Sequence, residues 1–200
     1  QTTKYLSYEN KQYGFSIKYP SNWEKKETLQ KDPNSNVVTI VSFAPSQYTS
    51  YSVAFSANDQ SFKGLNEEQI LATMKKQVTE ICSRVESVGG TCSDKTAARD
   101  THKNGYTTYA IYYAASVTSD EGTKNVAEIT AFIPDGNDIW ILQIISYSPT
   151  ELGQYDIGSS LDTFTIFNYE GEQTTTSQTS TVAKSSVGLL QINSGNFAVS

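Results

Sequence analysis

Alternating apolar and polar side chains mark the first strands of the chain. Phe15, Ile17 and Tyr19 alternate with Ser16 and Lys18, the period-two pattern of a half-buried strand, and Pro20 stops it. The same reading over 37–43 puts Val37, Thr39, Val41 and Phe43 on one face, and over 51–57 it groups Tyr51, Val53, Phe55 and Ala57. Pro33, Asn34, Pro45 and Ser46 lie between these runs and favour turns joining antiparallel neighbours. The period then changes. Asn66, with Gln69 three residues on, can satisfy the orphan amides of a helix start. Ile70, Met74, Val78 and Ile81, supported by Leu71, form that helix's apolar face, and the pattern ends near Cys82.

After Gly89-Gly90 four extended segments follow, at 93–101, 106–118, 125–133 and 139–147. Asn104-Gly105 suits a tight type I′ hairpin, and the run from Pro134 to Asn137 suits a reverse turn. A second helical segment is predicted from Ser148, with Pro149 at its first position and Glu151 completing a capping box. Leu152, Tyr155 and Leu161 give it a face, although Gly153 and Gly158 each weaken it by about 1 kcal/mol. Residues 163–167 read as a last strand. The expected fold class is therefore α+β, an antiparallel β-sheet flanked by helices, over residues 1–168.

Residues 169–200 are different. Branched aliphatic and aromatic side chains thin out, and Thr174, Thr175, Thr176, Ser177, Thr179, Ser180 and Thr181 replace them. Such a run cannot bury enough apolar area to offset its ordering entropy, and it predicts a flexible Ser/Thr-rich stalk. Residues 187–192 are apolar again but too few to span a bilayer, which suits an added edge strand, a docking peptide or the start of something longer.

Composition narrows the function classes. A net charge of −6 argues against a nucleic-acid partner, which would require a basic stripe. No apolar run reaches the 18 or so residues of a membrane span, so membrane attachment would require an anchor outside these residues. Thirteen Tyr against one Met and two Cys is a composition common in exported proteins, and a first residue that is Gln fits removal of a signal peptide.

The segment YGFSIKYPSNW at 13–23 resembles the opening signature of PsbP-like proteins of the Mog1/PsbP fold. Gly14 permits the turn into the strand, Phe15, Ile17 and Tyr19 face a core, Pro20 ends the strand, and Trp23 anchors the start of the next. The run LDTFTIF at 161–167 is similar to the family's last helix feeding a short strand, and the order of elements matches across roughly residues 5 to 168. The resemblance implies an α/β/α sandwich. It also implies a mostly non-catalytic role, as in photosystem accessory subunits, a Ran-GTPase partner and exported bacterial or archaeal lipoproteins.

Candidate chemistry is sparse. Cys82 and Cys92 stand ten residues apart around Gly89-Gly90, which favours a disulfide; closing that loop contributes about 2.7 kcal/mol in the chain-entropy picture. Two Cys and one distant His do not make a zinc site, and a redox pair more usually reads Cys-x-x-Cys. His102, the one histidine, sits beside a turn among charged neighbours and reads as a solvated loop residue; no Gly-x-Ser-x-Gly accompanies it. Glu67-Glu68 and Asp120-Glu121 fall at a helix start and a turn, where acids favour the dipole or solvent. Asp135, Asn137 and Asp138 could gather oxygens for Ca²⁺ but lack the EF-hand order. Alternation sends Tyr109 and Tyr113 to one sheet face and Tyr112 to the other, with Tyr106 at the start of the same series. No Asn-x-Ser/Thr sequon occurs.

No catalytic, cofactor-binding or metal residues are assigned. The leading expectation is a non-enzymatic extracytoplasmic binding or accessory domain of a cell-surface or secreted protein, acting on a protein partner or a larger surface assembly. Alternatives are a surface protein that self-assembles through 187–192, and a hydrolase using carboxylates.

Overall fold

Strands such as VAEITAFI and IWILQII carry large apolar side chains at odd and even positions alike, so both faces of their sheet need cover. The computed structural model describes residues 4–33, 35–120, 122–148 and 160–167. Among these, the elements run β1 (Tyr5–Asn10), β2 (Phe15–Pro20), β3 (Glu24–Lys31), β4 (Val37–Ser46), β5 (Thr49–Ser56), α1 (Glu67–Ser87), β6 (Thr91–Thr101), β7 (Thr107–Ser119), β8 (Gly122–Asp135), β9 (Asp138–Ser146) and β10 (Thr165–Ile166). Seven strands form one antiparallel sheet in the order β3-β4-β5-β9-β8-β7-β6, and β1, β2 and β10 form a small second one. The class is α+β, as the sequence predicts.

Each face of the large sheet has its own core. Under α1, Ile70, Met74 and Val78 pack with Tyr109, Ile111, Tyr113, Phe132 and Ile141. On the other face, Phe15, Ile17 and Trp23 meet Phe43, Tyr51, Trp140 and Phe164. Among the described residues that second face is covered by the small sheet and by Leu161 and Phe164, and the second helix expected from Ser148 lies largely outside them. So do the stalk and the apolar segment at 187–192.

The helix begins where its sequence says. Asn66 Oδ1 accepts from the Gln69 amide at 2.9 Å and the Asn66 amide donates back to Gln69 Oε1 at 2.9 Å, while Glu67 and Glu68 occupy the positive first turn. It does not end near Cys82. It runs to Ser87, because no breaker follows Cys82 until Gly89, whose φ of 80° closes the helix. The Gly89 amide donates to the Glu86 carbonyl and the Gly90 amide to that of Val85, a Schellman closure.

Three local readings are corrected. Val37 does not share a face with Val41 and Phe43: Val37 lies under α1, whereas Val41 and Phe43 face the small sheet. The register shifts between Thr39 and Val41, and the extra residue at this bulge turns the following side chains over. Ala57 lies past β5 and is exposed, where Asn58 turns the chain with a φ of 51°. The β6–β7 connection is not a two-residue type I′ turn either. The His102 amide donates to the Tyr106 carbonyl, the Gly105 amide to that of His102, and Gly105 has a φ of 87°, which makes a three-residue loop ending in a glycine bulge.

Candidate functional site at the end of the β8–β9 hairpin

The tight turn between β8 and β9 pairs Asp135 with Asp138 and carries Gly136 at a φ of 63°. Asp138 is fixed: its Oδ1 accepts from the Asn58 amide at 2.8 Å. These two acids share a cavity of about 330 Å³ with Tyr13, Phe55, Trp140, Ile166 and Phe167. Tyr13 comes from the β1–β2 turn, Phe55 and Trp140 are a cross-strand pair of β5 and β9, and Ile166 and Phe167 arrive with β10. Phe55 lies 4.7 Å from Trp140 and 6.0 Å from Tyr13 between ring centroids, so the three rings pack in series, with Phe55 and Trp140 buried in the core. Trp140 also buries its indole N–H with no acceptor among the described residues.

The residues singled out from the sequence go to different places. Cys82 on α1 and Cys92 on β6 are joined as a disulfide with Cα atoms 5.4 Å apart, and neither lines the pocket. Glu67 extends from the helix start to Arg99 at 3.2 Å. Tyr109 and Tyr113 lie under α1, while Tyr106 and Tyr112 pack on the opposite core. Among the described residues no three His, Cys, Asp or Glu side chains gather as metal ligands.

His102 is not a solvated loop residue. Its side chain is 9% exposed, with Nδ1 donating to Asp162 Oδ1 at 3.1 Å and Nε2 against Thr108 Oγ1 at 3.0 Å. The reason is tertiary: the hairpin packs on the turn at 160–164, where Asn104 Nδ2 donates to the carbonyls of Leu161 and Phe164. Carboxylate, imidazole and hydroxyl are connected as in a triad, but Thr108 is only 2% exposed, so no substrate meets that hydroxyl. The Lys103 amide, the Lys103 ammonium and His102 hold the Asp162 carboxyl below its ordinary range. This group is a latch.

A second polar cluster lies on the helix face of the sheet. Glu128 Oε2 accepts from the Tyr113 hydroxyl at 2.7 Å, and Oε1 accepts from Thr130 Oγ1 at 2.7 Å and Gln143 Nε2 at 2.9 Å. Burial, reinforced by the Glu128 charge, pushes the Tyr113 phenol well up, so it is no nucleophile at neutral pH. With both carboxylate oxygens satisfied, the cluster reads as structure. Its signal in the sequence is the polar residue at an inward position of an apolar strand, Glu128 in VAEITAFI and Gln143 in ILQII. The pocket has no such signal, because its walls come from separate stretches of chain.

Neither a protein-family model nor a curated protein matches the sequence. Solved structures do match. The solution structure of cyanobacterial PsbP (CyanoP) from Synechocystis sp. PCC 6803 aligns with a TM-score of 0.55 at 11% identity, over 84% of this chain and 95% of that one. The chain has the Mog1/PsbP fold. A further match to this PsbP-like domain is LpqN, involved in cell envelope biogenesis of Mycobacterium tuberculosis, with a TM-score of 0.45, 12% identity, and coverage of 84% and 93%. The resemblance read from YGFSIKYPSNW thus extends to the architecture, with Phe15, Ile17, Tyr19 and Trp23 all in the core beneath the small sheet.

Proposed function

We propose that this PsbP-like domain is a non-enzymatic binding or accessory module of an extracytoplasmic protein, secreted or held at a cell surface, acting through a protein partner or a larger surface assembly. Residues 169–200 serve it as a Ser/Thr-rich spacer. The observation that carries the reading is the position of the one imidazole: His102 is fixed at both ring nitrogens, so the chain's most versatile acid-base group is engaged in packing. The Cys82–Cys92 disulfide supports an oxidising compartment. The fold supports an accessory role through the resemblance described above.

Acid trapping of the protein in its native host, followed by thiol titration under denaturing, non-reducing conditions, tests the compartment. The reading expects no free thiol, and two free thiols would overturn it. One observation favours hydrolysis instead, namely that Asp135 and Asp138 both line the pocket. Ester, glycoside and peptide substrates are expected to give no turnover; turnover lost in the Asp135→Asn/Asp138→Asn double variant would establish the enzyme.

A further inference from the structure

Asn104-Gly105 is the one Asn-Gly pair of the chain, and it closes the β6–β7 loop. Asn before Gly is also the pair in which a backbone amide attacks the preceding side chain most readily, because Gly has no Cβ to hinder the approach. The Gly105 nitrogen gives up its proton and bonds to Asn104 Cγ, the Cγ–Nδ2 bond breaks, and ammonia leaves with that proton. Water then opens the five-membered imide at one carbonyl or the other, leaving Asp or an isoaspartyl link. In the fold, the atoms that must move are held. Asn104 Nδ2 donates to the carbonyls of Leu161 at 3.0 Å and Phe164 at 2.6 Å, and Oδ1 accepts from the Tyr106 amide at 3.1 Å. The Gly105 amide donates to the His102 carbonyl at 2.9 Å. These bonds must open before nitrogen reaches Cγ, and two of them cross to the turn at 160–164. Attack therefore requires the hairpin to part from that turn.

The product does not fit back. An Asp at 104 puts an oxygen where Nδ2 donated, facing two carbonyl oxygens that are left without their donor. It also brings a second negative charge to a contact that already holds Asp162, whose partners Lys103 and His102 are engaged. An isoaspartyl link adds a backbone methylene to a three-residue loop that depends on Gly105 at a φ of 87°. What the contact secures is Phe164, 0% exposed and packed on Phe15 at 5.7 Å and Trp140 at 5.5 Å. We infer that Asn104 is a modification site whose deamidation is gated by the contact between the β6–β7 hairpin and the turn at 160–164, and that the product releases residues 160–167 for good. The rate then follows the population of the locally open form. The inference is independent of what the domain binds.

The full chain is incubated at mildly alkaline pH, folded and in parallel unfolded in urea, and loss of ammonia at Asn104 is followed by mass spectrometry of peptides digested in acid. The folded chain is expected to react about tenfold or more slowly, and equal rates overturn the gating. Asp162→Ala removes the neighbouring contacts to His102 and Lys103 and leaves Asn104 in place, so it is expected to raise the folded rate about fivefold. An unchanged rate overturns the coupling to the turn. For the release, Asn104→Asp and the deamidated fraction of aged parent chain, isolated by ion exchange, are digested briefly with chymotrypsin. Cleavage after Phe164 is expected about tenfold faster than in the unmodified chain, with the rest of the domain still resistant. Cleavage at the parent rate overturns the release, as does cleavage of the aged fraction throughout the chain. The rate comparison and the aged fraction require no variant, so a misfolded one does not block the test.

Discussion

Asp162 shows how a single carboxyl ties distant segments together. Its folded pKa is depressed below the ordinary 3.8, first by the Lys103 amide and then by the Lys103 side chain and His102. A depressed acid stabilises the fold above its unfolded value and loses that contribution as pH falls through the folded one. Asp162→Asn is therefore expected to unfold at lower urea than the parent at neutral pH, with the gap closing as pH drops below about 3.8. A gap that persists unchanged in acid would contradict the latch. Gly89 and Gly90 make a second contrast at this scale. A Cβ at Gly89 meets nothing within 4 Å but would sit at a φ of 80°, so Gly89→Ala should cost about 1–2 kcal/mol through backbone strain. At Gly90 it would meet Val85 Cγ1 at 2.7 Å, the Ser116 carbonyl oxygen at 2.8 Å and Val117 Cγ2 at 2.9 Å. Gly90→Ala should cost about 1–3 kcal/mol by overpacking. Urea melts check both, and a neutral Gly90→Ala would show that the helix end does not seat on β7 as described.

Elements differ in how plainly the chain announces them, and the difference is physical. The start of α1 is legible because its capping box is local, Asn66 answering Gln69 within one turn. Strand β3 is not: EKKETLQK has no apolar alternation, and it is a strand because its backbone pairs with β4. As an edge strand it is charged and bulged, with Leu29 at a φ of 42°, and β6 at the other edge is bulged with Asp94 at a φ of 52°. Such edges resist the addition of another strand, which weighs against self-assembly on the large sheet. The Cys82–Cys92 bridge joins α1 to β6 across ten residues of sequence. Reduction is expected to lower unfolding stability by about 2–3 kcal/mol, read as a shifted urea midpoint with and without dithiothreitol. An unmoved midpoint would mean that packing of Ile70, Met74 and Val78 holds the helix without help.

At the scale of the whole molecule, fold and site were unequally visible in the sequence. YGFSIKYPSNW points to the architecture because strand, stop and buried Trp23 are contiguous. The pocket escapes such reading. Tyr13, Phe55, Asp135, Trp140 and Phe167 belong to different elements and meet only when the small sheet closes over the end of the large one. His102 is misread for the same reason, since its partner Asp162 lies 60 residues away. The central claim is that this domain binds a partner outside the cytoplasm. Intact cells of the native host, treated with a membrane-impermeant amine cross-linker and followed by mass spectrometry of the adducts, address it directly. The account predicts modification without lysis and a discrete adduct with a partner protein; a protein that reacts only after lysis, and then only as the unlinked chain, would contradict it.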